Sequence, residues 1–190
     1  QAETNANAKP NNPQVTQSIT TLEPAQANKV SKQTFAFDKY GNQSDLWEFD
    51  FSTGTPGPLV RRTHMDYVLS GYDTLNPSSS NPDLTLTSHI RNLPAQVSIF
   101  DAGGIERARS TTEYDNYVLD GSTCLQSFHC PLVARSHISG LDSSFTASYV
   151  KRGNPTASTR YLLSNGAVTG SVSAYLHFDV AGNPVRSIDP

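Results

Sequence analysis

The 190-residue chain has little charge, and the charge it has is nearly balanced. Charged residues make up 16% of it, the net charge is −3 and the pI is near 5.9. This balance gives no electrostatic reason to expect a nucleic-acid partner. The chain also lacks an apolar run of the roughly 18 residues that a membrane-spanning helix needs, and it lacks a basic and then apolar leader. We therefore expect no nucleic-acid partner and no membrane span, and we interpret the chain as a mature product or a fragment.

Cysteine is scarce as well. Cys124 and Cys130 are the two cysteines, six residues apart in the sequence CLQSFHC. A disulfide across this short loop is feasible if the chain is exported. Two free thiols remain an alternative, and so does a metal site with His129 as a third ligand, although no fourth ligand has a recognisable spacing. We keep Cys124 and Cys130 as a candidate disulfide and expect no metal and no cofactor.

Serine, threonine, glycine and proline are abundant, which is typical of short strands and many turns. The first regular stretch is residues 34–51, TFAFDKYGNQSDLWEFDF. Two alternating runs flank the segment DKYGN, and this pattern predicts a β-hairpin. We expect the aromatic residues of both runs to lie on one side of that hairpin: Phe35, Phe37, Trp47, Phe49 and Phe51.

The turn of this hairpin recurs along the chain. Similar phrases begin at residue 37 (FDKYGN), residue 100 (FDAGGI), residue 149 (YVKRGN) and residue 178 (FDVAGN). Aspartate suits the first position of a type I turn, and a glycine three residues later can take the positive φ that rejoins the partner strand. The copy at 149 lacks the aspartate. The predicted turn residues are Asp38, Gly41, Asn42, Asp101, Gly104, Gly153, Asn154, Asp179, Gly182 and Asn183.

The end of the chain carries the most regular strand pattern. Apolar and polar residues alternate over residues 168–178, a period of two that a helix does not produce. Asn165-Gly166, just before this run, predicts a two-residue hairpin turn. We predict an all-β chain of repeated antiparallel hairpins in a curved or spiralling sheet, with little or no helix. Residues 1–30 form a polar extended segment, residues 31–190 carry the hairpins, and a flexible linker lies near 71–83.

Two histidine–aspartate pairs are the nearest approach to catalytic chemistry. His64 precedes Asp66, and His177 precedes Asp179, at a spacing that a hydrolase or a metal site could use. Catalysis also needs a nucleophile and an oxyanion site, and no nucleophile elbow, zinc-protease motif or phosphate loop is present. We interpret these pairs as the polar face of a sheet. The turn aspartates are single carboxylates, which favours turn formation over calcium binding.

Three surface features have two interpretations each. Trp47 could stack on a sugar, but its neighbours on the strand favour packing. The pair Arg61-Arg62 is interpreted as a solvated strand end. Asn42-Gln43-Ser44 matches the N-glycosylation tripeptide, a pattern that also occurs by chance.

The repeated phrase aromatic-Asp-x-x-Gly-Asn, together with Glu113-Tyr114-Asp115-Asn116-Tyr117, resembles the YD repeats of the RHS-repeat family over residues 30–190. In that family the repeats form a long β-sheet that spirals into a hollow shell. The shell encloses a toxic polypeptide in bacterial toxins, and related shells occur in cell-surface adhesion proteins. The chain is several times shorter than a complete shell, and it has no segment similar to the self-cleaving core that ends bacterial shells. The resemblance therefore carries over no catalytic residue.

The function expected from this resemblance is a non-enzymatic shell or scaffold segment, secreted or on a bacterial cell surface. Its partners would be further repeats of the same polypeptide or other copies of the chain, joined through open sheet edges. A toxin polypeptide enclosed by the shell is a further expected partner. The alternative is an adhesion or glycan-binding module, or a subunit of a self-assembling extracellular fibre. Surface glycans would then be the partners.

Overall fold

The structure is a computed structural model, and it describes residues 13–23, 28–68, 70–72, 90–142 and 145–190. Nine β-strands are present in these residues and no helix is, so the prediction of an all-β chain is confirmed. The described residues therefore contain no helix that could span a membrane. The strands are β1 (Gln17–Leu22), β2 (Lys29–Phe37), β3 (Gln43–Thr53), β4 (Leu59–Val68), β5 (Leu93–Asp101), β6 (Glu106–Tyr114), β7 (Pro155–Ser164), β8 (Ala167–Phe178) and β9 (Pro184–Ile188).

The nine strands follow one another in chain order in a single open sheet. The chain divides into two compact units, which are described separately below. Unit 1 is Gln1–Met65 with Ile99–Ile105, and unit 2 is Asp66–Ser98 with Glu106–Pro190. The predicted polar segment 1–30 includes β1 and the start of β2, and its residues 1–12 and 24–27 lie outside the described residues. Most of the predicted linker, residues 73–83, also lies outside them.

Unit 1 contains the first predicted hairpin, β2–β3, but its aromatic residues do not all share one face. Phe35 lies opposite Leu46, whereas Trp47 lies opposite Thr34. Directly opposed residues point to the same face and neighbours along a strand point to opposite faces, so Phe35 and Trp47 are on opposite sides. The cause is a bulge between Ala36 and Phe37, where the register shifts by one residue. A shift of one residue moves every following side chain to the other face.

Unit 2 contains the hairpin β7–β8, whose turn is the predicted Asn165-Gly166. Both residues have positive φ, 49° and 82°, as a two-residue type I′ turn requires. Strand β8 is formed as predicted, but its burial does not alternate. Val168 and Val172 are exposed, while His177 and Phe178 are both buried at the other end. Burial on β8 therefore depends on what covers each end of the strand and not on which face a residue occupies.

The hydrophobic core of unit 2 is small and lies at the end of β8. Leu132, Phe178 and Val180 are its buried members. Half-buried residues pack around them: Tyr117, Ile138, Leu141 and Leu176. Four of these seven residues come from the irregular segment between β6 and β7 and not from the sheet. That segment therefore supplies much of the packing that covers the end of β8.

Candidate functional site

The predicted turn at Asp38 is a three-residue hairpin turn held by the aspartate. The Gly41 amide donates to the Asp38 carbonyl at 3.1 Å, and the Asp38 amide donates to the Asn42 carbonyl at 2.8 Å. Gly41 has a φ of 88°, so this is a type I turn closed by a glycine bulge. The Asp38 carboxylate accepts the amides of Tyr40 and Asn42 at 2.8 and 2.9 Å and the Asn42 side-chain amide at 2.8 Å.

The turns at Asp101 and Asp179 have the same geometry. The Asp101 carboxylate accepts the amides of Gly103 and Ile105 at 2.9 and 3.0 Å. The Asp179 carboxylate accepts those of Ala181 and Asn183 at the same two distances. Gly104 and Gly182 have φ values of 79° and 81°. Each aspartate amide donates to the carbonyl four residues on, and each of these glycine amides donates to the aspartate carbonyl. The three turns are one structural unit used three times.

Hydrogen bonding lowers the pKa of two of these aspartates, Asp38 and Asp179. Burial acts to raise the pKa of Asp179, but the hydrogen bonds from Asn183 and Ala181 and the charge of Arg135 outweigh it, so the pKa lies below its ordinary value. The pKa of Asp38 is lowered in the same way: burial opposes the shift, and the hydrogen bonds from Asn42 and Tyr40 exceed it. Asp179 is fully buried and also pairs with Arg135 at 2.5 Å, and the Asp38 carboxylate has no such ion pair within the described residues.

The fourth predicted turn, at Gly153 and Asn154, is not a local hairpin turn, which corrects the sequence prediction. The residues before it, 149–152, belong to no strand. The missing aspartate is Asp115, which follows β6. Its carboxylate accepts the backbone amides of Arg152, Gly153 and Asn154 at 2.8, 2.6 and 2.9 Å. The Asp115 amide donates to the Asn154 carbonyl at 2.9 Å, as in the other turns. We call this arrangement the split turn.

The strands on either side of the split turn pair as they do around Asp179. Tyr114 lies opposite Pro155, with a register shift after Glu113, and Phe178 lies opposite Pro184, with a register shift after His177. Both turns end in Gly-Asn-Pro. Tyr114-Asp115 and Arg152-Gly153-Asn154 are thus the two parts of one aromatic-Asp-x-x-Gly-Asn phrase. The sequence carried this signal as two complementary fragments, one without its glycine and one without its aspartate.

Two tyrosines complete the bonding of the Asp115 carboxylate. The hydroxyls of Tyr72 and Tyr117 donate to it at 2.6 and 2.8 Å. Burial and the hydrogen bond to Asp115 raise the pKa of each tyrosine well above its ordinary value, so both hydroxyls stay protonated and remain donors. Asp115 itself has a φ of 53°, a left-handed conformation that aspartate tolerates better than most residues. This conformation directs the chain out of the turn.

Arg61 and Arg62 are the third and fourth residues of β4, and the Arg61 side chain is 53% exposed, so both lie near a strand end as predicted, although each has an ion-pair partner. Arg61 pairs with Glu48, and Arg62 pairs with the buried Asp45 at 2.7 Å. The Arg62 guanidinium lies 5.6 Å from the ring centres of both Trp47 and Phe100. These contacts, all within unit 1, join two strands and the aromatic residue that precedes the Asp101 turn.

Trp47 is half-buried rather than enclosed. The guanidinium of Arg62 lies over its ring, so the tryptophan takes part in packing between strands.

The predicted histidine–aspartate pairs have other partners. His64 Nδ1 lies 2.8 Å from the Asp45 carboxylate. His177 is buried, and its Nε2 donates to the Phe128 carbonyl at 2.8 Å, while Asp179 is occupied by its own turn. His177 lies on a sheet strand, and the segment between β6 and β7 covers it.

Sequence reasoning missed a different histidine site. His129 Nδ1 lies 2.8 Å from the carboxylate of Asp120, and its Nε2 lies 2.6 Å from that of Glu113. Both ring nitrogens are engaged, so the imidazole joins the segment between β6 and β7 to β6. Glu113 and Asp120 are seven positions apart and His129 lies in an irregular segment, so no periodic pattern marks them.

Cys124 and Cys130 are free thiols in the structure, so the candidate disulfide is not formed in it. Cys130 is buried and its thiol donates to the Cys124 carbonyl at 3.3 Å. Burial and the neighbouring Cys124 raise the pKa of Cys130 to about 12, which keeps it protonated. Within the described parts of the chain, no three His, Cys, Asp or Glu side chains are grouped to hold a metal ion.

Comparisons of the chain with protein-family models, with curated proteins and with solved structures find no match. They assign the chain to no family.

Proposed function

We propose that the chain is a non-catalytic wall segment of an RHS/YD-repeat type of protein, secreted or located on a cell surface. The observation that carries the proposal is the repeated turn: one aspartate-held geometry occurs at Asp38, Asp101 and Asp179, and again across the split turn at Asp115. A turn of fixed geometry used repeatedly sets the strand register anew at each hairpin. A chain of such hairpins extends a sheet without any one residue acting as a site.

Exposed strand edges and apolar side chains support the proposal. Among the described residues, β1 at one end of the strand order and β9 at the other each pair with one neighbouring strand. Within unit 2, Leu162 and Val172 are 67% and 55% exposed. An unpaired edge and an uncovered apolar face are both suited to further strands of the same kind. In the proposed mechanism, additional repeats complete the wall and cover these groups.

The test compares the isolated chain with a longer natural polypeptide that contains it. Leu162→Cys and Val172→Cys are labelled with a thiol reagent in a background in which Cys124 and Cys130 are replaced by serine. We expect rapid labelling in the isolated chain and at least tenfold slower labelling in the longer protein. Thr169→Cys is a matched variant at another exposed position of the same hairpin. In the native chain, the Thr169 hydroxyl donates to the Leu162 carbonyl. Equal labelling of Leu162→Cys and Val172→Cys in both proteins would contradict the wall proposal.

The same exposed edges favour a second candidate, a subunit that assembles into a fibre. In that case the purified chain alone forms ordered filaments visible by electron microscopy. A lysine at an outward position of β1, Ile19→Lys, should then prevent filaments, because charge on an edge strand opposes pairing. Binding to a glycan array by the purified chain would favour the adhesion alternative instead. A monomeric chain that binds no glycan leaves the wall proposal as the better account.

A further inference from the structure

We infer that residues 117–151 are a docked insertion within a repeat turn, and that Asp115 closes this turn across the insertion. Removing these residues would leave Asp115-Asn116-Arg152-Gly153-Asn154. This sequence has the same order as Asp179-Val180-Ala181-Gly182-Asn183: aspartate, two variable residues, glycine and asparagine. The turn geometry and the docking contacts given below apply whether the sheet is part of a shell or of a fibre.

The hydrogen bonds of the split turn match those of the continuous turn position by position. The Arg152 amide bonds the Asp115 carboxylate as the Ala181 amide bonds that of Asp179. The Asn154 amide does so as the Asn183 amide does. One bond differs. The Gly182 amide donates to the backbone carbonyl of Asp179, whereas the Gly153 amide donates to the side-chain carboxylate of Asp115.

The change at the glycine amide follows from the left-handed φ of Asp115. The φ of 53° sends the following residue out of the turn and away from the position that the continuous chain would take. The carboxylate takes over the bond that the carbonyl makes elsewhere. Tyr72 and Tyr117 supply two further donors to the same carboxylate. The split turn therefore keeps its hydrogen bonds although the chain leaves it and returns.

The insertion docks on the neighbouring hairpin β8–β9. The Val133 amide donates to the Phe178 carbonyl, and the Val180 amide donates to the Val133 carbonyl, both at 3.0 Å. The Arg135 guanidinium pairs with the Asp179 carboxylate. The Phe128 ring stacks on Tyr175 with 4.9 Å between ring centres. The insertion thus packs on the end of β8 and on the continuous turn, while Asp115 holds the two ends of its own turn.

Arg152 connects the end of the insertion to the same hairpin. Its guanidinium donates to the carbonyls of Tyr149 and Thr146 within the segment, at 2.8 and 2.9 Å, and to that of Val180 at 2.6 Å. Arg152 is also the first residue of the split turn after the insertion. Its backbone amide bonds the Asp115 carboxylate, and its side chain bonds the β8–β9 hairpin, so the split turn and that hairpin together fix where the insertion ends. The geometry assigns the insertion the role of a cover over β8–β9 that is joined to the sheet through one turn.

The test is a pair of excisions in the full chain that differ by one residue. The matched variant lacks residues 117–151 and restores the five-residue phrase, whereas the short variant also lacks Asn116. Both lose the same packing on β8, so their difference reports the turn alone. Amide hydrogen exchange is measured on Thr111 and Thr159, which are paired across β6 and β7.

We expect exchange at these positions in the matched variant to stay within tenfold of the intact chain, and to be at least tenfold faster in the short variant. Equal exchange in the two variants, whether fast or slow, would overturn the inference. A second pair of variants keeps the insertion in place. Asp115→Ala should speed exchange across β6–β7 at least tenfold, whereas Asp142→Ala, which replaces an exposed aspartate within the insertion, should not. Unchanged exchange in Asp115→Ala would also overturn it.

Discussion

Replacing Asp179 by alanine should weaken its hairpin much more than the same change at Asp38. Asp179 is fully buried and accepts two backbone amides, the Asn183 side chain and the Arg135 guanidinium. Removing a buried charged acceptor of several hydrogen bonds costs about 3 kcal/mol. Asp38 is half-buried, and within the described residues its carboxylate has no ion pair like that of Asp179, so water can replace part of its bonding and the cost should be about 1 kcal/mol.

Amide hydrogen exchange measures the two losses separately, since local opening is read residue by residue. At 1.4 kcal/mol per factor of ten, Asp179→Ala should speed exchange of the paired residues of β8 and β9 by about a hundredfold, and Asp38→Ala should speed that of β2 and β3 by about fivefold. Asp179→Asn keeps one acceptor oxygen and should fall between. Equal acceleration in the two alanine variants would refute the argument that burial and the ion pair set the difference.

Three further results are expected. Stability should fall as the pH drops below about 4, because the pKa of the Asp179 carboxyl in the folded protein lies below the ordinary aspartate value. The contribution of this carboxylate to stability is complete above that ordinary value and is lost as it protonates, so denaturant unfolding of Asp179→Asn should show a weaker acid dependence. Gly182→Ala should lower the melting temperature, at a cost of about 1 kcal/mol for a positive φ, whereas Gly170→Ala, whose added carbon meets another atom only at 4.0 Å, should not. Arg62→Ala should shift the fluorescence of Trp47, the single tryptophan, because the guanidinium over its ring is lost; an unchanged spectrum would contradict that contact.

The parts of this fold that could be predicted are those written in neighbouring residues. The turns at Asp38, Asp101 and Asp179 need only five consecutive residues, and the alternation of β8 needs only its own strand. The split turn could not be predicted from one window, because Asp115 and Asn154 are 39 positions apart. Both fragments of the phrase can be recognised in the sequence, but no pattern in the residues around either fragment indicates that the two come together.

The prediction that the aromatic residues of the first hairpin share one face was wrong for a different reason. Without the bulge at Ala36, the turn at Asp38 would place Phe35 on the same side as Trp47. One extra residue reverses that assignment, and the sequence does not mark where a bulge will fall. The covered histidine His177 and the His129 site depend likewise on where an irregular segment docks, which no periodic pattern records.

The split turn also has a consequence for the order of folding. The turn at Asp179 closes a contact over 4 positions, whereas that at Asp115 closes one over 39. Loop-closure entropy makes the longer closure less favourable by about 2 kcal/mol. Strands β7, β8 and β9, joined by two tight turns, should therefore pair before β6 is added. In the sequence, the β6–β7 hairpin is one repeat among several, but in folding it should form after its neighbours β7–β8 and β8–β9.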